Sequence, residues 1–320
     1  MTLFLSDTDV QRLLTMREAI DAVEEAFKEL QRGEVIIPER TTLILKNGSI
    51  SQMSAYLKRM RIATTKVFGI FPRNVKYNLP TTVATLLVYD LETGKVATVM
   101  DAAYLTALRT GAVSGVASKY LSRKDSKNVG IIGCGMQGRT QLLAVKEVRE
   151  IEKVRAFDKV SSTKETFAEE MSKKLGIDVL PADSSKDAVK DADIAITATT
   201  SAEPVIKGEW ISGGIHINAI GSYYPNAREL DTETIVKSKL VVDLRKAALE
   251  EAGDVILPIK EGAITEKHIY AELGEIVTGK KPGRIADDEI TVFKSVGLAI
   301  QDAAVARVII EKFKAEFFTP

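Results

Sequence analysis

Residues 128–140 read NVGIIGCGMQGRT, and this stretch decides the fold. A short apolar run closed by glycine predicts a buried strand, and the QLLAVKEV that follows predicts a helix. Between them Gly133, Gly135 and Gly138 have the spacing of a phosphate-binding turn. The first glycine permits the tight turn, the second lets the backbone approach a pyrophosphate, and the third lets helix pack closely on strand. The helix N-terminus adds oriented N–H groups and a partial positive charge. Three glycines alone are a weak signal, but the context strengthens them. The next strand-like run, KVRAFD, ends in Asp158, about 20 residues beyond Gly138, where an acid accepts a hydrogen bond from a ribose 2′-hydroxyl. A carboxylate there repels a 2′-phosphate, so the expected cofactor is NAD rather than NADP, with Lys159 next door softening the preference.

Toward the C-terminus the alternation continues. A helix over SSTKETFAEEMSKKLG is followed by IDVLPA, a short helix around SSKDAVKDA, and the strands DIAITAT, GIHINAIG and KLVVDL. Strands alternating with helices argue for a parallel sheet covered on both faces. Loops after its later strands line the nicotinamide side of such domains, which nominates Ala198-Thr199-Thr200 and Ala219-Ile220-Gly221. The stretch ITVFKSVGLAIQDAAVARVIIEKFKAEF at 290–317 reads as one long helix, expected to pack back on the first domain.

Toward the N-terminus the rhythm differs. Ser6-Asp7 can cap a short turn, and Met16, Ala19, Ile20, Val23, Ala26, Phe27 and Leu30 recur at helical spacing before Gly33. TTLILK and SISQMSAYL then flank Asn47-Gly48, a strong hairpin signal. TVATLLVYD and KVATVMD flank Glu92-Thr93-Gly94 as a second hairpin, and 102–121 is helical by composition. The fold class is therefore α/β: a Rossmann-type parallel-sheet domain plus an N-terminal β-rich α+β domain for substrate binding and dimerisation. The expected boundaries are 1–114 with 300–320 for the latter and 115–299 for the former.

Composition narrows the function classes. Of 320 residues 45% are hydrophobic, enough for a sizeable core, and 44 basic side chains balance 44 acidic ones. A zero net charge argues against a nucleic-acid partner, since phosphate binding needs a basic surplus. No apolar run approaches the roughly 20 residues of a membrane span, and MTLFLSDTDVQRLL lacks the parts of a signal peptide. Cys134 is the single cysteine, so no internal disulfide forms and a cytoplasmic location is expected. Lying between two glycines, Cys134 reads as a small residue in a crowded loop. His216 and His268 are far apart and read as structural, and no metal site is expected.

Three cations stand where solvated charges are not expected. Lys66 lies inside the apolar strand ATTKVFGIF. It is either an edge-strand lysine snorkelling to water or a desolvated acid/base suited to chemistry at a C–N bond. Arg40, after VIIP, and Arg109, inside an Ala/Leu-rich helix, can each clamp a carboxylate or phosphate.

Together these residues resemble the ornithine cyclodeaminase/μ-crystallin family from end to end. The landmarks are IPERT at 37–41, TKVFG at 65–69, LPTTVATLLVYDLETG at 79–94 and MDAAYLTALRTGAVSGVASKYLS at 100–122. They continue with VGIIGCGMQGRTQ, INAIGSYYPNARELD and GRIADDEITVFKSVGLAIQDAA at 283–304. The resemblance implies a homodimer paired through the N-terminal domains, with the active site in an interdomain cleft. It assigns Arg40, Lys66, Thr81 or Thr82, and Arg109 to substrate carboxylate binding or acid/base work, with Lys66 catalytic. It assigns dinucleotide contacts to Arg109-Thr110, Met136-Gln137, Asp158-Lys159-Val160, Ala219-Ile220-Gly221 and Val296-Gly297. Where the cyclodeaminases carry an aspartate for the substrate amine, this chain has Tyr223. Among the family's activities this favours NAD-dependent oxidative deamination of L-alanine. Ornithine cyclisation and cyclic-ketimine reduction are the enzymatic alternatives, and cofactor-holding without catalysis is the non-enzymatic one.

Overall fold

The computed structural model describes residues 2–318, and the chain divides into two compact units. The first comprises residues up to Arg109 together with Leu298 onward; the second is Thr110–Gly297. The divisions fall at 109/110 and 297/298, where the sequence reading sets 114/115 and 299/300.

The first unit begins with β1 (Leu3–Leu5), α1 (Asp7–Leu13) and α2 (Met16–Gln31). Both helices open on reciprocal side-chain caps, Ser6 with Asp9 and Thr15 with Glu18, each such cap contributing about 1 kcal/mol. Strands β2 (Val35–Ile36), β3 (Thr41–Leu45), β4 (Gly48–Leu57), β5 (Ile62–Ile70), β6 (Thr82–Tyr89) and β7 (Val96–Asp101) follow, then α3 (Ala103–Leu121), which belongs to this unit as far as Arg109 and to the second from Thr110. The expected hairpin joins β3 to β4, but its two-residue turn is Lys46-Asn47, one residue earlier than Asn47-Gly48, with Gly48 already in β4 opposite Leu45; the second joins β6 to β7. The described strands pair in the order β1-β7-β6-β5-β4-β2, with β3 also on β4. Strand β5 thus has a partner on each side, so Lys66 is not on an edge.

The second unit alternates: β8 (Asn128–Ile132), α4 (Met136–Val148), β9 (Lys153–Phe157), α5 (Ser161–Leu175), β10 (Asp178–Pro181), α6 (Ser185–Val189) and β11 (Ile194–Thr197). Then come β12 (His216–Ala219), α7 (Thr232–Val236), β13 (Lys239–Val242), α8 (Arg245–Glu251), α9 (Gly253–Lys260), β14 (Ile269–Glu272), α10 (Leu273–Val277) and β15 (Thr291–Lys294). The strand order is β10-β9-β8-β11-β12-β15-β13-β14, every described pair parallel. Chain direction across the sheet reverses between β8 and β11, the position where open α/β sheets bind ligands beyond their carboxyl ends. The core strands are apolar on both faces, with Val129, Ile131, Val154, Ile194, Ile196 and Ile217 all buried.

Residues 290–317 are not a single helix: Thr291–Lys294 form β15, between β12 and β13, and the last helix, α11 (Ala299–Phe318), starts later. A four-residue apolar run buried on both faces has no period by which to tell strand from helix. The turn between them is set by Gly297, whose φ is 80°, a conformation that side-chain-bearing residues avoid. Helix α11 belongs to the first unit, where it lies against α2, β4 and β5.

Candidate active site

In the first unit, strand β5 places Lys66 and Phe68 on one sheet face, opposite Leu86 and Ala84 of β6. The Lys66 side chain is 2% exposed and points at Asp302 of α11: its Nζ donates to Asp302 Oδ1 at 2.8 Å and to Thr106 Oγ1 of α3 at 3.3 Å. Arg109, also on α3, donates from Nε to the same Asp302 oxygen at 3.0 Å and from Nη1 to Gln301 Oε1 at 2.6 Å. Phe68 lies beneath two cations, with Lys66 Nζ 5.4 Å and Arg40 Cζ 5.9 Å from its ring centroid. Two cations thus share one carboxylate oxygen, and a third, Arg40, acts on Lys66 from across Phe68. Burial, reinforced by the positive charges of Arg109 and Arg40 and opposed by Asp302, lowers the Lys66 ammonium to about 7. A group poised near neutrality can both give and take a proton.

Lys66 and Arg109 are therefore brought together, and Arg40 shares Phe68 with Lys66. Thr81 and Thr82 are not part of this cluster: both are exposed. The Thr81 carbonyl accepts from Phe71 N at 2.8 Å, and Thr82 pairs with Ile70, farther along the face that carries Lys66 and Phe68.

In the second unit the nominated residues gather at the carboxyl ends of the parallel strands. Gly133 follows β8 with φ 100°, and a Cβ there would lie 2.4 Å from the Ala198 carbonyl oxygen beyond β11. A Cβ on Gly138 would meet Gly133 O at 2.2 Å, so helix and strand pack at contact distance. Gly135 is different. It caps α4 with no side-chain hydrogen bond, and a Cβ there would meet nothing within 4 Å. That leaves an uncapped helix N-terminus facing open space, the shape and polarity a pyrophosphate requires. Asp158, just past β9, accepts from Cys134 N at 2.9 Å and from Val160 N at 3.0 Å, which fixes its carboxylate beside the glycine turn. Met136, Lys159 and Val160 are exposed at this rim, and Gln137 is half-buried. Thr110 is buried, and its carbonyl accepts from Gln141 Nε2 of α4 at 2.8 Å. These features fit a dinucleotide.

The remaining loops are tied down by buried acids that the sequence reading did not nominate. Glu229 is fully buried and accepts from Thr199 N at 2.7 Å, Thr199 Oγ1 at 2.8 Å, Thr197 Oγ1 at 2.8 Å and Gly221 N at 2.7 Å. It thereby joins the loops after β11 and β12, including Ala219-Ile220-Gly221. Burial, with Asp254 nearby, pushes the Glu229 carboxyl up, against the pull of Lys294. Asp254 Oδ1 accepts from Glu229 N and Leu230 N, both at 2.8 Å, and Lys294 Nζ sits 2.9 Å from its other oxygen. Asp243 Oδ2 accepts from Val296 N at 2.8 Å and Gly297 N at 2.9 Å, fixing the turn after β15.

Asp302, Gln301, Thr106 and Phe68 were equally missed in the first unit. A usable signal existed for Asp302: an acid alone in the apolar LAIQDAAVARVII mirrors a lysine alone in an apolar strand, and buried charges occur as pairs. The bland readings of the other reactive groups hold. Cys134 is buried and its thiol is pushed up to about 12 by burial and by Asp158. His216 bonds Thr291 and Asn218, and burial with Arg284 lowers it to about 3. Among the described residues no cluster of three metal-ligating side chains occurs, and no helix is long and apolar enough to cross a membrane.

A parallel sheet ending in a glycine turn, and a buried lysine among arginines, define a dinucleotide-dependent oxidoreductase. The chain belongs to the ornithine cyclodeaminase/μ-crystallin family, whose model matches residues 1–316. It is 40% identical over 311 residues to alanine dehydrogenase of Archaeoglobus fulgidus, covering 97% of this chain and 94% of that one. The solved structure of Thermococcus litoralis Δ1-pyrroline-2-carboxylate reductase, in complex with NADH and L-proline, matches with 50% identity and a TM-score of 0.96 over 98% of each chain. An archaeal alanine dehydrogenase dimer with bound NAD matches with 38% identity and a TM-score of 0.94, over 100% of this chain and 98% of that one.

Proposed function

We propose that this protein reduces a cyclic α-imino acid, Δ1-pyrroline-2-carboxylate, to L-proline with NADH. The observation that carries the reading is Lys66: a buried ammonium held near neutrality among Arg40, Arg109 and Asp302. It is joined by the 50% identity to a reductase solved with NADH and L-proline, against 40% to an alanine dehydrogenase.

The substrate carries a carboxylate next to a C=N bond. Arg109 and Arg40 supply the positive charge for the carboxylate, Arg109 already oriented by Asp302 and Gln301. Lys66 delivers the proton to the imine nitrogen and takes one back in the reverse direction. Lys66 is 2% exposed, so little water competes with the substrate for its proton. NADH, when bound, supplies the hydride that completes the C–H bond. The glycine turn, Asp158, and the loops held by Glu229 and Asp243 would hold that cofactor; Asp158 favours NADH over NADPH.

Oxidative deamination of alanine is the second reading, favoured by the Archaeoglobus relative. It demands more of the same residues, because Lys66 must also activate water and protonate departing ammonia. Absorbance assays with the purified protein and NADH separate the two. The cyclic imine should be reduced at least about 100-fold more efficiently than pyruvate with ammonia. The opposite ratio would return the assignment to alanine, and no turnover with any imine or keto acid would revive a binding-only protein.

We further infer a homodimer. Ile44 (88% exposed), Leu43, Ile36, Val75 and Tyr77 leave apolar side chains exposed on the β-rich unit, and the archaeal alanine dehydrogenase that this chain resembles was solved as a dimer. Light scattering at twice the chain mass is the expected result; the monomer mass would refute pairing.

A further inference from the structure

We propose that Asp302 is a positioning residue: a single oxygen of its carboxylate holds Lys66 and Arg109 against each other and keeps Lys66 charged until substrate arrives. The inference rests on Lys66 being the proton donor proposed above, and it deepens that assignment by naming what sets the donor's state.

The geometry is specific. Asp302 Oδ1 receives both Lys66 Nζ at 2.8 Å and Arg109 Nε at 3.0 Å, while Oδ2 is buried with no hydrogen-bond partner. The Lys66, Arg109 and Asp302 side chains are 2%, 7% and 1% exposed, so little solvent screens them. The charged groups facing Lys66 are Arg109 from α3, Asp302 from α11 and Arg40 from the segment before β3; Thr106 of α3 adds a neutral acceptor. Two of these three charges repel an ammonium. Arginine does not shed its proton in proteins, so any shortfall of negative charge falls on Lys66. Asp302 is the one anion in the set, and without it the neutral amine is the stable form. Among the described residues Asp302 forms no ion pair besides those with Lys66 and Arg109, so it has no separate pair whose loss would explain the same effect.

Arg109 makes the same point from the other side. Its guanidinium is fixed by Asp302 Oδ1 and Gln301 Oε1, consecutive residues on α11. Asp302 therefore sets two things together: the proton on Lys66 and the orientation of the nearby guanidinium.

The test reads Lys66 directly. With 13Cε-labelled lysine, the resonance lost in Lys66→Met is followed against pH in the wild type and in Asp302→Asn. The expected result is a midpoint at least one pH unit lower in Asp302→Asn; an unchanged midpoint overturns the proposal. Where Asp302→Asn does not fold, the wild type alone decides. The Asp302 13Cγ resonance should inflect at the Lys66 midpoint, and a flat trace through that pH overturns the proposal. Steady-state kinetics separate this inference from the reaction it rests on. The alkaline limb of kcat for imine reduction should move down with the Lys66 midpoint. A shifted midpoint with an unmoved kcat limb would leave Asp302 as assigned and remove Lys66 as the donor.

Discussion

The two units solve opposite problems. The first builds its site from side-chain charges buried together: Lys66, Arg109 and Asp302 come from three elements, and Lys66 and Asp302 are 236 residues apart. The second builds its site from main chain, with glycines clearing space and acids such as Glu229 and Asp243 holding loops by their N–H groups. One site therefore depends on protonation, the other on shape. Substitutions in the first should change the rate and its pH dependence, and substitutions in the second should change cofactor affinity or the fold itself.

The largest expected effect tests the charged site. Lys66→Met removes the proton donor and should lower kcat for imine reduction by about 10²–10⁴-fold. NADH binding, followed by fluorescence titration, should stay within a few-fold of wild type. Equal loss of both would erase the distinction between the units.

A matched pair then probes the shape-dependent site. Gly133→Ala sets a Cβ 2.4 Å from the Ala198 carbonyl on a backbone with φ 100°, and should cost about 2–4 kcal/mol in denaturant unfolding. Gly135→Ala meets no protein atom and should leave stability within about 1 kcal/mol, while NADH affinity falls about tenfold or more because the methyl group enters the pyrophosphate space. An NADH affinity unchanged in Gly135→Ala would remove the open space at Gly135 as a ligand site.

Asp158→Asn should have the smallest effect. The amide still accepts from one backbone N–H, but it no longer repels a 2′-phosphate. The preference for NADH over NADPH, read as the ratio of kcat/KM values, should fall by about tenfold. An unchanged ratio would remove Asp158 from the ribose site.

The same contrast explains what was legible in the sequence. The glycine turn, its acid and the flanking strand and helix are neighbours along the chain, so NVGIIGCGMQG and KVRAFD disclose the parallel-sheet unit directly. Both hairpins were readable for the same reason. The β15 segment was not, because its position between β12 and β13 is decided by burial on both faces and not by any period in TVFK. Lys66 and Arg109 stood out as cations in apolar surroundings, but the anion that accounts for them is on another element. The loop-holding acids stayed hidden too: Glu229 looks like an ordinary polar residue in ARELD until the fold brings Thr199 and Gly221 onto it.

The central claim is that Lys66 moves the proton on the substrate nitrogen, and pH dependence measured in both directions tests it most directly. Reduction needs the protonated lysine, so its kcat should fall as pH rises through about 7. Proline oxidation needs the neutral amine, so its kcat should rise through that same pH. Mirror-image limbs with a shared midpoint, both absent in Lys66→Met, are the predicted result. Limbs that run in the same direction, or that persist in Lys66→Met, would contradict it.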